Sequence, residues 1–360
     1  MKEKVIIAMS GGVDSSVAAH LLKNQGYETI GITLKLFNNE DANINKDKTC
    51  CSLDDVEVAR NISYKLGMPH YVLNFSEAFK TDVIDRFVKT YCAGGTPNPC
   101  IDCNRFIKFE KLMLRVKQLD FNYLATGHYA VIEYDPNAER YFLKKSTDKT
   151  KDQTYVLYSL TQEQLSKTLF PLGALHKKQV REIAAENGFI NAGKHDSQDI
   201  CFVRDRDYSR FIEGYSNGVP PAGDFIDMSG NIIGRHKGIV HYTIGQRKGL
   251  GISFARPMYV CKKNISNQTV VLGSESDLYT KSLVAEDINL IACDNIYKPL
   301  RLKTKVRYKQ EEQWATVEQT GEGTLHIEFD LPQRAIARGQ AVVFYDEDIV
   351  VGGGTIVDTT

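Results

Sequence analysis

Two short stretches hold most of the residues able to do chemistry. The first, Ala8-Met9-Ser10-Gly11-Gly12-Val13-Asp14-Ser15-Ser16, follows the apolar run Val5-Ile6-Ile7. A buried strand that empties into a Gly-containing turn at a helix N-terminus aims several backbone N–H groups at one point. That is an anion site, and phosphate is its usual guest. Gly11 and Gly12 let the main chain approach the ligand, while Ser10, Ser15 and Ser16 offer hydroxyl donors. Asp14 suits such a cradle when a cation such as Mg²⁺ lies between its carboxylate and the phosphates. No lysine follows the glycines, so the loop is not one that transfers a γ-phosphate. The structural alternative is a Gly/Ser turn that merely caps a helix.

The second stretch is Thr96-Pro97-Asn98-Pro99-Cys100-Ile101-Asp102-Cys103-Asn104. Two prolines make a stiff turn, and the pattern from Arg105 onward is helical, which places Cys103 near a helix N-terminus. There, with Arg105 and Lys108 close in sequence, its pKa should fall and the thiolate be favoured. A third cysteine, Cys201, stands between Ile200 and Phe202-Val203, which puts it at a strand end rather than in open solvent. Cys100 and Cys103 have the spacing of half a zinc site, with Cys201 and His195 as the remaining ligands. The other reading is a pair of redox-active thiols. The adjacent Cys50 and Cys51 are assigned to packing.

These stretches need a scaffold that brings distant loops to one edge. Residues 4 to about 130 alternate strands (Val5–Met9, Thr29–Leu36, His70–Asn74, Tyr123–Thr126) with helices (Ser16–Asn24, Asp54–Leu66, Glu77–Tyr91, Arg105–Gln118). The pattern predicts an α/β parallel sheet with helices on both faces and ligands at the carboxyl ends of its strands. A hairpin is expected around Asp135-Pro136-Asn137, with helices at Gln162–Leu169 and Lys177–Asn187. Past Cys201, Gly, Pro and β-branched residues dominate and short strands recur, predicting two smaller, mainly β domains, the last a β-barrel. The expected domains are 1–205, 206–277 and 278–360. A chain of 360 residues with 42% apolar and 25% charged residues is long enough for that. The sequence from Met1 to Lys4 runs straight into the first strand, with no secretory signal and no run able to cross a bilayer, so a cytoplasmic protein with no membrane partner is expected. The net charge is zero, although Lys298–Lys309 and Arg140–Lys151 are basic. Such runs suit a phosphate backbone or a solvated strand face.

The first stretch resembles the Ser-Gly-Gly-x-Asp-Ser loop of enzymes that split ATP into AMP and pyrophosphate. With it appear, in order, the Thr96–Asn104 stretch, Ala125-Thr126-Gly127-His128-Tyr129, Lys151-Asp152-Gln153-Thr154-Tyr155, Ile200-Cys201-Phe202, and Tyr242-Thr243-Ile244-Gly245-Gln246-Arg247-Lys248-Gly249-Leu250-Gly251. Together these motifs resemble the bacterial tRNA-specific 2-thiouridylase family over nearly the whole chain. The resemblance implies an adenine nucleotide α-hydrolase-like first domain. It also implies sulfur insertion at C2 of wobble uridine 34 in tRNAs for Lys, Glu and Gln. The poor leaving oxygen is first adenylated by ATP, with pyrophosphate released, and then replaced by sulfur.

By the same resemblance, Cys201 would carry persulfide sulfur from a cysteine desulfurase or sulfur-carrier protein. Cys103 would be its partner thiol, and a Cys103–Cys201 disulfide would close each turnover. ATP, with Mg²⁺, would meet Ala8, Met9, Ser10, Gly11, Gly12, Val13, Asp14, Ser15, Leu34 and Gly127. The tRNA would meet Asn98, Pro99, Cys100, His128, Lys151, Asp152, Gln153, Arg307, Tyr308 and Gln340. Many members of the family carry Asp where this chain has Cys100. Three cysteines, Cys100, Cys103 and Cys201, could then hold a [4Fe-4S] cluster, as in related tRNA-thiolating enzymes. Other adenylating enzymes with this loop, such as argininosuccinate, NAD and tRNA lysidine synthetases, would not need the cysteines. An RNA-binding module with a zinc clip would bind without releasing pyrophosphate.

Overall fold

The computed structural model describes residues 2–37, 53–195, 200–203, 207–216, 218 and 220–359. Cys50 and Cys51 and the polar stretch Glu40–Lys48 lie outside the described residues. The chain divides into two compact units. One comprises Met1–Val83, Cys100–Arg204 and Asp348–Val350, the other Ile84–Pro99, Asp205–Glu347 and Val351–Thr360.

The first unit is built on a five-stranded sheet in the order His70–Asn74, Glu28–Lys35, Lys4–Ala8, Tyr123–Ala125, Thr168–Leu169. Every neighbouring pair is parallel. The central strand carries Val5, Ile6 and Ile7, which are fully buried as a strand covered on both faces requires. Helix Val13–Asn24 lays Val17, Ala18, Ala19 and Leu22 into the core formed by Val5, Ile7 and Met9, and Val180 and Ala184 of helix Lys177–Glu186 join it. Connections leave Lys4–Ala8 toward Glu28–Lys35 on one side, while Tyr123–Ala125 lies on the other. That is a switch point, the place where such sheets bind ligands beyond their carboxyl ends. The hairpin around Asp135–Asn137 forms from Ala130–Asp135 and Arg140–Lys145, and Ile349 pairs with its Lys144.

Three expectations are corrected. The chain is helical from Pro99, not Arg105, because proline is well suited to the first helical position, where its missing N–H costs nothing. From Cys103 to Leu112 that helix widens into π-helical turns before tightening again over Met113–Gln118. Residues 162–169 hold a short helix, Gln162–Ser166, and then the edge strand Thr168–Leu169.

The second unit contains a four-stranded sheet, Tyr259–Asn264, Thr269–Gly273, Gly223–Ile226 and Ile232–His236, around Phe225, Tyr242, Val260, Val270 and Leu272. It also contains a closed six-stranded barrel. Strands Tyr279–Leu290, Thr324–Arg334, Gln313–Gly321, Leu300–Lys305, Ala341–Asp346 and Ile349–Thr359 follow one another round the wall, and the first pairs with the last. Its interior is filled by Leu283, Val317, Ile327, Phe329, Phe344 and Ile356.

Candidate active site

The helix that follows the Gly-Gly turn begins at Val13, inside the motif rather than after it. Its cap is Gly12, which has no side chain to satisfy the first N–H groups. Those donors, with the helix dipole behind them, are the groups an anion would meet at this helix end. Gly11 has φ of +71°, and a Cβ there would lie 2.5 Å from the Asp55 carbonyl oxygen, so only glycine fits the turn. Across the switch point, a Cβ on Gly127 would meet Ser15 N at 2.7 Å, which explains why glycine follows Thr126. Leu34 and Met9 are buried beside the loop. Ser10 is exposed, but the Ser15 and Ser16 hydroxyls donate back to the Gly12 carbonyl at 3.0 Å. They hold the turn instead of offering protons outward.

A lysine supplies the positive charge that the loop's own sequence lacks. Both Asp14 carboxylate oxygens accept from Lys177 Nζ, at 2.7 and 2.8 Å, and the Tyr129 hydroxyl donates to Oδ1 at 2.8 Å. Lys177 is the first residue of helix Lys177–Glu186, and its backbone N–H donates to Asp148 Oδ2 at 3.0 Å. Burial raises the Asp148 pKa, but that bond and those from Thr150 outweigh it and keep the carboxyl below its ordinary value. Asn191 adds a further tie, donating to the Gly11 carbonyl and to Ser16 Oγ at 3.0 Å. Lys177, Tyr129 and Asn191 were not singled out from sequence. Lys177 opens a helix, where a lysine works against the dipole, but nothing in the sequence separates it from a solvated lysine.

The thiols differ from expectation. Cys103 lies a full turn past the helix start, and burial pushes its thiol up, with Lys108 opposing the rise and Asp102 adding to it. The expected lowering at a helix N-terminus is therefore corrected: desolvation outweighs the dipole one turn in. Arg105 lies over the Phe106 ring, while Lys108 Nζ donates to Asn104 Oδ1 at 2.9 Å. Cys100 is exposed in the helix's first turn. Cys201 is partly buried in a turn, not at a strand end, with Val203 N–H donating to the Ile200 carbonyl. Phe202, 1% exposed and edge-on to Phe79, anchors that turn. In the free protein, iodoacetamide should label Cys100 ahead of Cys103 at pH 7.5. Cys103 labelling should rise only at a pH above that needed by an ordinary thiol, as peptide mass spectrometry would record.

Of the residues offered to RNA, His128 is 8% exposed and lies among Phe109 and Phe170, its Nδ1 2.6 Å from Thr126 Oγ1. Burial, with Lys108 nearby, pushes its pKa well below the ordinary value, so it carries no charge toward a phosphate. Asp152 accepts from Ser146 N–H and the Thr154 hydroxyl, and Gln153 Oε1 accepts from Tyr129 N–H at 2.9 Å. The Lys151–Gln153 turn is thus built onto the residue that holds Asp14. In the second unit, Pro99 is buried and Asn98 partly exposed. Arg307 Nη2 donates to the Ala335 and Ile244 carbonyls, at 2.7 and 3.2 Å, so its guanidinium ties the four-stranded sheet's domain to the barrel. Tyr308 is 37% exposed, and Gln340 is partly exposed with its carbonyl accepting from Ile356 N–H. Acids offset the basic runs: Arg301 pairs with Asp330, and Lys144 with Glu133 and Asp348.

Among the described residues no three His, Cys, Asp or Glu side chains gather as a metal would need. Cys100, Cys103 and Cys201 do not form the three-thiolate set of a [4Fe-4S] cluster. Nor do they and His195 form a zinc tetrahedron. Asp14 is the only carboxylate in the glycine loop, and both its oxygens accept from Lys177. No helix among the described residues is long and apolar enough to cross a membrane.

Residues 3–205 match the family described as tRNA methyl transferase HUP domain, 209–274 the tRNA methyl transferase PRC-barrel domain, and 280–356 the aminomethyltransferase β-barrel domain. The chain is 53% identical to the tRNA-specific 2-thiouridylase MnmA of Clostridioides difficile strain 630 over 356 residues, covering 99% of this chain and 98% of that one. It is 51% identical to the protein of the same name from Acetivibrio thermocellus, covering 99% of each. It is likewise 51% identical to tRNA-specific 2-thiouridylase MnmA 2 of Caldanaerobacter subterraneus subsp. tengcongensis, covering 98% and 97%.

Proposed function

The chain belongs to the tRNA-specific 2-thiouridylase family, and we propose that it makes 2-thiouridine at position 34 of tRNAs for Lys, Glu and Gln in the cytoplasm. The observation that carries the reading is the open N-terminus of helix Val13–Asn24 at the switch point, faced by Lys177 on Asp14. Such a site holds a triphosphate and stabilises charge on departing pyrophosphate without passing a phosphoryl group to a loop lysine. ATP would lie along Ala8–Ser15 with its adenine toward Leu34 and its phosphates under Gly127. Mg²⁺ would come with the nucleotide.

The uridine O2 attacks the α-phosphorus, the bond to the β-phosphate oxygen breaks, and pyrophosphate leaves. A Cys201 persulfide, loaded by a cysteine desulfurase or sulfur-carrier protein, then attacks C2 through its terminal sulfur and expels AMP. Cys103, once deprotonated, attacks Cys201 Sγ, leaving 2-thiouridine and a Cys103–Cys201 disulfide. In the alternative order, Cys103 attacks the persulfide first and frees sulfide to attack C2. Either way one two-electron reduction by an external thiol resets the enzyme. The raised pKa of the Cys103 thiol keeps it protonated and unreactive until that step, with Lys108 at hand to stabilise the thiolate. Asn98 and Pro99, the Lys151–Gln153 turn and the Arg307, Tyr308 and Gln340 region would bind the tRNA, with Cys100 and His128 near the target nucleotide.

The reading is tested by incubating the purified chain with unmodified tRNA for Lys, ATP, cysteine and a cysteine desulfurase as persulfide source, with a thiol reductant, then digesting the RNA for nucleoside mass spectrometry. One 2-thiouridine is expected per AMP and pyrophosphate formed. Pyrophosphate release that is indifferent to tRNA, with no thiolated nucleoside, would instead identify a small-molecule adenylating enzyme.

A further inference from the structure

The four-stranded sheet has no part in the chemistry above, yet one of its lysines reaches into the turn that carries Asn98. Lys263, on strand Tyr259–Asn264, places Nζ 3.0 Å from the Tyr242 carbonyl oxygen and 3.4 Å from that of Gly95. The ammonium also lies over the Tyr91 ring, 6.0 Å from its centroid. Gly95 opens the segment Thr96-Pro97-Asn98-Pro99. The barrel grips the same segment from another side, because Thr96 N–H donates to the Arg338 carbonyl at 2.7 Å. Gly339 lets that approach occur, since a Cβ on it would lie 2.8 Å from Thr90 and 3.3 Å from Thr96 N.

A charge held this way is a poor choice for stability alone. An apolar side chain of the same length would avoid the desolvation that pushes the Lys263 ammonium down to about 8. What the lysine adds is direction, because the Gly95 carbonyl and the Thr96 N–H belong to one planar peptide unit, held at the N–H end by the barrel and at the carbonyl end by the four-stranded sheet. We propose that Lys263 is a positioning residue: its ammonium fastens the Gly95 carbonyl to the four-stranded sheet and so sets the course of the Pro97-Asn98-Pro99 turn toward the target nucleotide. The inference rests on the reading that this turn meets tRNA. It gives the middle domain a task, namely holding the recognition turn from below.

The neighbouring groups do not share its titration. Burial raises Tyr91, beside Tyr208, to about 12 and also raises Tyr242, so both stay neutral. The Arg307 guanidinium near Tyr91 stays charged. As pH climbs past about 8, Lys263 alone in this cluster loses its charge. The grip on Gly95 then weakens from a charge-assisted to a neutral hydrogen bond.

The test is a cycle of Lys263→Met, Asn98→Ala and the double variant, in steady-state thiolation with tRNA and ATP each varied. Lys263→Met should raise KM for tRNA on the order of tenfold, short of the roughly 100-fold that gross misplacement can cost. KM for ATP and the melting temperature should hold or improve. The double variant should be no worse than Asn98→Ala alone, since both act through one turn. Wild type should lose tRNA affinity between pH 7.5 and 9, and Lys263→Met should not. Wild-type tRNA KM in Lys263→Met, alongside a raised KM in Asn98→Ala, overturns the inference and spares the reading of the turn. Unchanged KM in Asn98→Ala overturns both. Should Lys263→Met not fold, Lys263→Gln, which keeps donors without charge, is expected to show part of the tRNA effect and none of the pH dependence, and a pH dependence like wild type's sinks the proposal.

Discussion

Cys201→Ala is expected to abolish 2-thiouridine formation, by about a thousandfold or more, while tRNA-dependent pyrophosphate release continues within a few-fold of wild type. The separation follows from where the two chemistries reside. On the proposed reading, adenylation would depend on the helix N-terminus at Val13, Asp14 and Lys177, none of which touches the turn at Cys201 through a bond described above. That turn is anchored by Phe202, whose burial is worth roughly 1.5–3 kcal/mol and does not depend on the thiol beside it. The variant should therefore fold, bind ATP and activate the uridine, then stall. Cys103→Ala should stall later, with the RNA trapped on Cys201 if the persulfide attacks first, or earlier with no trapped RNA if free sulfide is the nucleophile. Denaturing gels with labelled tRNA distinguish the two orders. Loss of pyrophosphate release in Cys201→Ala would show instead that the thiol takes part in activation.

Lys177→Met carries the second large effect: tRNA-dependent pyrophosphate release falls about 100- to 1,000-fold, the range found when one preorganised donor to a developing charge is removed. Two losses add. The cation that would meet the phosphates is gone, and among the described residues Asp14 keeps the Tyr129 hydroxyl but no cation against its carboxylate, so its charge repels an incoming triphosphate. KM for ATP should rise together with the fall in rate. Asp14→Asn added to Lys177→Met should restore part of the ATP affinity and little of the rate, because the repulsion is relieved without returning the cation. Lys178→Met is the control. Its side chain is 88% exposed and meets only Glu182 at 3.8 Å, a pair worth a few tenths of a kcal/mol. Equal losses in the two lysine variants would sink the assignment.

Much of this site was legible in the chain because its parts are local. An apolar run, two glycines and a helical pattern within about twenty residues are enough to specify a strand, a turn and an anion-binding helix end. Gly127 could be placed on the same edge because it follows a strand. The lysine that completes the site was not legible. Lys177 lies 163 residues from Asp14, and at the head of an amphipathic helix a lysine is indistinguishable from a solvated one. Cys103 was misjudged for a related reason. The prolines at 97 and 99 looked like a stiff turn before a helix, but Pro99 begins the helix, and Cys103 lies a full turn past its start, where desolvation outweighs the dipole. The basic strand Leu300–Lys305 shows that charge counted along a sequence omits partners from other strands. Its Arg301 meets Asp330, two strands along the barrel wall, a neighbour 29 residues away in sequence.

The barrel wall has an implication for how the protein is made. Its first strand, Tyr279–Leu290, waits for a partner that is not synthesised until Ile349–Thr359 has left the ribosome. Until then the nascent barrel has two open edges, with Leu283, Val317, Ile327 and Phe329 lining a trough instead of a closed core. Strand edges of that kind pair readily with other chains. A ribosome that pauses before completing Ile349–Thr359 would therefore present the cell with an aggregation-prone intermediate, although five of the six barrel strands would already have been made.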